Sequence, residues 1–299
     1  MWRGLRHSEV RCLGAAILLT ASVATAAHGD DEIQVYNAEI AEIGQWTIEQ
    51  HLNYTFDGRK EPDFPGGLIP NHSLNGTPEL AYGIADWWEL GFYAPFAVSG
   101  GGAFLSNGGK IRNLFVSPHA AERNFFYGVN FEFSYETPPF SQTRYALEIR
   151  PIVGIRNSAW EFIVNPIVDL GFGAFGEADF APAVRLARNL GQDRFLGIEY
   201  YADFGQIGNF LPLQEQRHQL FAVTDFKLGV FDIELGAGYG LTPGSDRFVT
   251  KAIIGYAFPV PGPRSQSSDN VLNVPLAMKS PPRQAAGTPM FSDVFSAMR

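Results

Sequence analysis

The chain of 299 residues is poor in cysteine and in lysine. Its single cysteine is Cys12, so no disulfide framework holds the remainder of the chain together. Lysine occurs only at positions 60, 110, 227, 251 and 279, which is few for the surface of a soluble protein. A formal net charge of -9 at pH 7 also argues against a nucleic-acid-binding role.

Recognised catalytic motifs are missing as well. The sequence has no GxSxG, HExxH, P-loop or CxxC pattern, so we predict no enzyme, no cofactor and no metal site. Two weak candidates remain. Ser117 and His119 lie in VSPHAAER, and His51 lies between Glu49 and Asn53. They leave open an alternative in which the protein is a lipid-modifying hydrolase that uses His51 or His119.

Long apolar runs are confined to the N-terminus. A basic stretch, MWRGLRHSEVR, precedes the apolar run CLGAAILLTASVATA, and small residues follow. This order predicts a cleaved secretory signal peptide at residues 1–29. A membrane anchor helix is the alternative, but the run is short for a span of about 20 residues. Because no later run could form such a helix, a closed β-barrel is the remaining way for the exported chain to enter a membrane.

What the sequence does contain is a repeated two-residue period. In GQWTIEQHLNYTF (44–56), apolar Trp46, Ile48, Leu52, Tyr54 and Phe56 alternate with polar residues. The pattern recurs from 44 to 258 and predicts about twelve strands. Each is roughly 10 to 13 residues long, which suits membrane strands better than soluble ones. Only GGKIRNLFVSP (108–118) alternates poorly, and we expect a bulge or a shifted strand boundary there.

The apolar face is predicted to point outward to lipid. Most long connections alternate with short ones, as in bacterial barrels with short periplasmic turns and longer external loops. Tryptophans fall at the predicted periplasmic strand ends, which favours an interfacial aromatic girdle over a cluster in a core. The predicted girdle is Trp46, Trp88, Trp160, Tyr256 and Phe258. An exported soluble β protein, with these apolar residues inside, is the alternative.

The opposite, polar face is predicted to line the barrel interior, and it is rich in acids. Its predicted residues are Glu49, His51, Glu89, Glu132, Glu136, Glu148, Arg150, Glu161, Asp169, Arg185, Glu199, Asp203, Asp225, Lys227 and Glu234. Asp179 has the same parity. Two interpretations stay open. The charges could pair across strands as a solid plug, or they could line a narrow path whose negative field favours cations or neutral polar solutes.

Two stretches resemble known barrels. The last strand, KAIIGYAF, is similar to the C-terminal recognition signal of bacterial outer-membrane proteins, although 41 residues follow Phe258. YGIADWWELGFYAPF (82–96) resembles barrels classed as putative transporters, including the phenol-degradation-pathway group. The resemblance implies residence in the cell outer membrane, with its lipid and the barrel-assembly machinery as partners. It also implies uptake or permeation of a small-molecule solute.

The predicted organisation therefore has four parts. They are a signal peptide at 1–29, a periplasmic leader or rim strand at 30–43, an all-β, closed antiparallel transmembrane barrel at 44–258, and a flexible tail at 259–299. The tail begins PVPGPRSQSSDN, whose prolines end the last strand. We predict a channel or transporter for small solutes with an acidic lumen.

Overall fold

The computed structural model describes residues 32–260. The predicted signal peptide, residues 30 and 31, and the tail beyond residue 260 lie outside the described residues. In the described part of the chain, no helix is long and apolar enough to cross a membrane. The strands are β1 Trp46–Asp57, β2 Leu74–Ala85, β3 Trp88–Tyr93, β4 Phe96–Val98, β5 Phe104–Ser106, β6 Gly109–Val116, β7 Phe125–Tyr135, β8 Tyr145–Arg156, β9 Trp160–Asn165, β10 Val168–Phe172, β11 Ala178–Phe180, β12 Ala183–Asn189, β13 Phe195–Asp203, β14 Arg217–Leu228, β15 Phe231–Gly240 and β16 Phe248–Ala257.

The sheet closes on itself. β1 pairs with β2 along one edge and with β16 along the other, so that Leu52 faces both Gly76 and Ala252. All these strand pairings are antiparallel, and closure leaves no row of unpaired backbone groups along the barrel wall. This confirms the predicted closed antiparallel barrel of about twelve strands.

Four of the barrel strands are each split into two segments. β3 continues as β4, β5 as β6, β9 as β10, and β11 as β12, which reduces sixteen segments to twelve barrel strands. Three of the breaks contain a proline, Pro95, Pro166 or Pro182, which has no N–H to donate to a neighbouring strand. The fourth contains Gly108, whose φ of +68° interrupts the extended backbone. The sequence period predicted continuous strands at these points.

Connections at the two ends of the barrel differ. At what we call the loop end, the connections are residues 58–73, 99–103, 136–144, 173–177, 204–216 and 241–247. At the turn end they are residues 86–87, 117–124, 157–159, 190–194 and 229–230. The alternation that the sequence predicted holds for most connections, but the turn-end connection 117–124 is longer than the loop-end connections 99–103 and 173–177.

The barrel exterior is apolar. Along β13, Leu196 and Ile198 are 56% and 50% exposed. Glu199, the residue after Ile198, points inward and is fully buried. The same inversion recurs on other strands, with Phe, Leu, Ile and Tyr side chains outward. Such an exterior suits hydrocarbon and not water. The alternative of a soluble β protein with an apolar core inside is therefore wrong.

We call residues 32–43 the lumen segment; residues 33–38 lie inside the barrel, whereas Glu42 and Ile43 are exposed. Ile33, Val35, Tyr36 and Ala38 are each at most 5% exposed. The chain then reaches the turn end, where the Gly44 amide donates to the Gly83 carbonyl at 2.8 Å, and doubles back into β1. A side chain at Gly83 would collide with the Glu42 carbonyl at 2.1 Å, so this approach requires glycine. The sequence predicted a periplasmic leader or rim strand at 30–43; Ile33 to Ala38 lie inside the barrel, whereas Ile43 forms a parallel bridge with Gly83 at the turn end.

Inward-facing apolar side chains explain this placement. Val35, Tyr36 and Ala38 pack in one cluster with Phe126, Ile152 and Ile163. Ile33 packs with Phe221, Val223 and Val249 on the other side. Apolar burial between the segment and the wall favours docking by roughly 25 cal/mol for each Å² removed from water.

Of the bulge or shifted boundary expected at 108–118, the structure shows a strand break at Gly108 but no bulge within β6. β6 pairs with β7 from Gly109 to Val116 without a shift in register. Lys110, Arg112, Leu114 and Val116 all point inward, and Leu114 and Val116 belong to the cluster around the lumen segment. The apparent loss of alternation therefore reflects inward apolar residues that contact the segment, and not a bulge.

Candidate functional site in the barrel lumen

Polar groups of the wall hold the backbone of the lumen segment. Asn165 accepts from the Tyr36 amide at 2.7 Å and donates to the Tyr36 carbonyl at 3.1 Å. Arg150 donates to the Gln34 carbonyl at 3.1 Å, and Lys251 donates to the Ile33 carbonyl at 3.0 Å. A buried backbone that has left the sheet needs such partners, and here the wall side chains supply them.

Tyr36 is the most extensively held side chain of the segment. The Arg150 guanidinium lies 4.3 Å from the centre of its ring, within the range of a cation–π contact. Its hydroxyl lies 3.1 Å from the Tyr93 hydroxyl and accepts from Arg112 at 3.4 Å. The ring thus joins the segment to β3, β6 and β8.

One charged cluster lies beside the segment towards the turn end. Arg112 Nη2 lies 2.6 Å from Glu79 Oε1 and also contacts Glu89. Glu89 in turn accepts from the Ala41 amide at 2.6 Å. His51 Nε2 lies 3.3 Å from Glu79 Oε2. The cluster therefore couples the segment to β1, β2, β3 and β6.

A second charged cluster lies on the opposite wall. Arg185 donates to Glu199 at 2.6 Å and contacts Asp225, and Lys251 contacts both Glu199 and Glu234. Arg156 extends the cluster through Glu161 at 3.0 Å. The buried carboxylates here have cationic partners, which burial of charge requires.

The predicted interior residues differ in burial. The buried ones are His51, Glu89, Glu132, Glu136, Arg150, Glu161, Asp169, Arg185 and Glu199. The half-buried ones are Glu49, Glu148, Asp203, Asp225 and Glu234. Lys227 lies at the turn end, where its side chain is 53% exposed and contacts Asp232 at 2.6 Å. That the predicted interior residues line a solute path remains a prediction.

Sequence reasoning did not select Glu79, Arg112 and Asn165 as site residues, although all three contact the segment or its charged clusters. Strand parity could have found Glu79, because Leu80 and Tyr82 point outward. Arg112 was missed because it shares the inward face of β6 with the apolar Leu114 and Val116, so that the polar and apolar residues of this strand do not alternate.

Two cavities flank the lumen segment. One of about 140 Å³ is lined by residues that include Lys110, Glu132 and Asp169. The other, of about 550 Å³, includes Glu49 and Glu234 and reaches turn-end residues such as Lys227. Gln34 lines both cavities. The segment therefore stands between the two spaces at this residue.

One described group of side chains has metal-ligand chemistry. Ligand atoms of Glu32, His51 and Glu79 lie within 4.8 Å of one another. Arg112 already places a positive charge on Glu79, at 2.6 Å. An ion pair therefore accounts for the Glu79 carboxylate in this arrangement.

A network of ion pairs ties the first long connection over the loop end. Arg217 Nη2 lies 2.8 Å from Asp63 Oδ2, and Arg59 contacts both Asp63 and Asp246. The Leu68 amide donates to the Pro139 carbonyl at 2.7 Å, which joins this connection to residues 136–144. Burial by itself would raise the pKa of Asp63, but Arg217 and Arg59 outweigh burial and lower it.

The histidines considered for lipid hydrolysis lie in different elements. His51, on β1, is 1% exposed and faces the interior carboxylates. It therefore does not reach the lipid side of the barrel in this conformation. His119 lies in the connection 117–124 and is exposed, with Nε2 3.7 Å from Asp86.

The residues of the predicted girdle lie at or beside the turn-end ends of their strands: Trp46, Trp88, Trp160, Tyr256 and Phe258. Trp46 packs against Tyr82 with ring centres 4.7 Å apart. Trp88 stacks on Phe115 at 5.9 Å, and the rings of Tyr256 and Phe258 meet edge to face at 4.9 Å. Their interfacial role remains a prediction.

Comparison with known proteins bears on the fold. No protein-family model and no curated protein matches the chain. Its structure is similar to that of the COG4313 outer membrane channel from Pseudomonas putida F1, with a TM-score of 0.56 and 12% sequence identity over 76% of this chain and 100% of that one. The chain has the fold of an outer-membrane β-barrel.

Two porins show weaker similarity. The KdgM porin has a TM-score of 0.49 and 9% identity, covering 71% of this chain and 99% of that one. The NanC porin has a TM-score of 0.46 and 8% identity over the same shares.

Proposed function

We propose that this barrel resides in the bacterial outer membrane and passes small cationic or neutral polar solutes through its interior. In this placement the turn end faces the periplasm and the loop end faces outward. Outer-membrane lipid would surround the apolar wall, and the barrel-assembly machinery would insert it. The shared fold and the apolar exterior support this placement.

The observation that carries the proposal is the pair of cavities that meet at Gln34. They lie inside the barrel on either side of the lumen segment, and their walls carry more acids than bases. A negative field in a low-dielectric wall attracts cations and repels anions. Twelve strands lie between the roughly eight that side chains fill and the sixteen that leave a wide pore.

Because the lumen segment fills much of this space, we expect a narrow path and a small conductance. Gln34 is then the side chain that limits the passage. Removing its side chain should widen the path without removing the Tyr36 contacts, and enlarging it should narrow the path.

Single-channel recording in planar bilayers tests this. Folded full-length protein should give small, cation-selective currents, with selectivity read from the reversal potential in a KCl gradient. Gln34→Gly should increase the conductance and Gln34→Trp should decrease it. Gln214→Trp, exposed in connection 204–216 and outside both cavity linings, is the matched control and should leave the conductance unchanged.

Two outcomes would contradict the proposal. The absence of current from folded wild-type protein and from Gln34→Gly would indicate a closed structural barrel. Anion-selective current would show that the interior carboxylates do not set the field along the path.

A further inference from the structure

The same arrangement of side chains occurs twice on the outer wall at the loop end. β7 ends at Tyr135, and Tyr145 at the start of β8 lies directly opposite. β15 has its last outward-facing residue at Tyr239, and Phe248 at the start of β16 lies opposite. These four side chains are 39–53% exposed. Each of the two hairpins therefore carries a pair of outward-facing aromatic rings where it reaches the loop end.

An arginine completes each pair of rings. Arg144 is the last residue before β8, and Arg247 is the last residue before β16. Arg144 Nη1 donates to the Tyr135 hydroxyl at 3.2 Å, and Arg247 Nη1 donates to the Tyr239 hydroxyl at 3.1 Å. The Arg247 guanidinium also lies 5.8 Å from the centre of the Tyr239 ring. We call these groups the two rim clusters: Tyr135, Arg144 and Tyr145 form the first, and Tyr239, Arg247 and Phe248 form the second.

The two rim clusters lie on opposite sides of the barrel. In one direction around the closed sheet, β9, β12, β13 and β14 separate hairpin β7–β8 from hairpin β15–β16. In the other direction, β6, β3, β2 and β1 separate them. Neighbouring strands are about 4.8 Å apart, so the clusters are separated by roughly 24 Å along the wall. Each cluster is therefore a separate site.

Neither arginine of the rim clusters is neutralised by the protein. Both side chains are exposed, and among the described residues neither Arg144 nor Arg247 forms an ion pair with a carboxylate. The interior arginines differ in this respect, because Arg112, Arg150 and Arg185 each contact a carboxylate. Arginine is always charged in proteins. Two positive charges therefore face outward at the loop end, and an anion from the surroundings is the partner that complements them.

The side-chain chemistry indicates which anion. A guanidinium binds phosphate through two parallel hydrogen bonds, and a phenol that accepts from the arginine keeps its own proton to donate. The aromatic rings beside each arginine belong to the apolar wall, and such rings are typical of a membrane–water interface. A ligand that has both a phosphate group and hydrocarbon chains would match the arginine and the wall together.

We propose that each rim cluster binds one phosphorylated lipid of the outer leaflet, with Arg144 or Arg247 holding the phosphate and the aromatic rings lying against the acyl chains. This binding rests on the outer-membrane placement proposed above, which puts the loop end in the outer leaflet. It is separate from the passage of solutes through the interior.

Native mass spectrometry of the folded full-length protein in detergent, titrated with bisphosphorylated lipid A, tests the proposal. The wild type should bind two lipid molecules, and Arg144→Gln and Arg247→Gln should each leave one. Arg144→Gln/Arg247→Gln should weaken binding at least about tenfold, because hydrogen bonds between charged groups are the strong ones. Tyr135→Phe/Tyr239→Phe keeps both charges and should weaken binding by a smaller factor.

Arg123→Gln/Arg194→Gln is the matched control. These two arginines are also exposed, but they lie in the turn-end connections 117–124 and 190–194. The control removes the same charge as Arg144→Gln/Arg247→Gln, and it should bind lipid A as the wild type does. Heat-modifiable migration on a gel would show that each variant is folded.

Two further ligands separate the roles of phosphate and chains. Lipid A without its phosphates should bind the wild type at least about tenfold more weakly than the bisphosphorylated form, because the arginines lose their partner. Inorganic phosphate in excess should not displace bound lipid A, because it has no chains to lie against the wall.

The proposal is overturned if the wild type binds both forms of lipid A equally, if Arg144→Gln/Arg247→Gln binds as the wild type does, or if the control loses binding equally. Displacement by inorganic phosphate would overturn the assignment to a lipid. None of these measurements depends on conductance, so failure of the lipid sites and failure of the transport proposal are separate results.

Discussion

Replacing Tyr36 by alanine should release the lumen segment from the barrel wall. The substitution removes a ring that is 4% exposed, lies against Arg150 and has its hydroxyl between Tyr93 and Arg112. The barrel strands themselves keep their ladder, because Tyr36 belongs to none of them.

The magnitude follows from burial. Truncating a fully buried aromatic side chain to alanine costs about 3–5 kcal/mol. Here the cost falls on docking of the segment and not on strand pairing. With about 1.4 kcal/mol for each tenfold change in an equilibrium constant, the undocked population should rise roughly 140- to 3700-fold.

Thiol labelling measures this population. Cys12 lies within the predicted signal peptide, so Val35→Cys would place the one thiol of the mature chain at a side chain that is 5% exposed. Modification by a maleimide should be slow in this background. It should accelerate by the stated factor when Tyr36→Ala is added, if docking re-equilibrates faster than labelling.

Glu39→Cys is the matched control, because Glu39 is exposed in the same segment and should label rapidly in both backgrounds. Heat-modifiable migration on a gel would show that each variant is folded. Rapid labelling of Val35→Cys with Tyr36 intact, or no acceleration on adding Tyr36→Ala, would refute the reasoning.

Two further predictions concern the loop end and the wall. Because the pKa of Asp63 is lowered below its unfolded value of about 3.9, its ion pair with Arg217 should be intact above that value and lost as the pH falls through the folded pKa. Pepsin should therefore cleave connection 58–73 faster as the pH is lowered from about 4 towards 2. Asp63→Asn should allow that cleavage throughout this pH range. A cleavage rate near pH 4 that is the same in Asp63→Asn as in the wild type would contradict the account. On the outer wall, Ile198→Arg should lower the free energy of unfolding in liposomes by about 2–4 kcal/mol if the residue lies near the bilayer midplane, and a change near zero would argue against lipid contact there.

The strand architecture could be predicted from local sequence patterns. A two-residue period over strands such as β7 and β13 encodes which side chains share a face, and the turns between strands separate one run from the next. Both signals lie within a dozen residues, so they predict the strand number without any long-range information. The direction of the apolar face was predicted from the connection lengths and the tryptophan positions.

The position of the lumen segment inside the barrel could not be predicted from local patterns. Its contacts join Tyr36 to Asn165 and Ile33 to Lys251, pairs that are more than 100 residues apart. A clue was present in Phe126, Ile152 and Phe221, apolar residues at positions whose parity points inward. Large apolar side chains inside a polar lumen need an apolar partner, and the segment from Ile33 to Ala38 is that partner.

The register of the inward-facing acids could be predicted only in part. Parity placed Glu132, Glu148, Asp169 and Asp179 on the inner face, but it did not place them at the same height. Their direct opposition depends on the pairing of β7, β8, β10 and β11, and β10 reaches β8 only beyond the break at Pro166. Register between strands is a property of the assembled sheet.

Spin-label accessibility tests the central claim most directly, namely that the apolar wall faces lipid while residues 33–38 occupy the interior. Labels at Ala222, which points outward, and at Val35 would be compared in liposomes by power saturation with oxygen and with a water-soluble nickel chelate. The account predicts that Ala222 is relaxed by oxygen and not by nickel, and that Val35 is shielded from both. Strong relaxation of Val35 by nickel, with Ala222 shielded from oxygen, would contradict it.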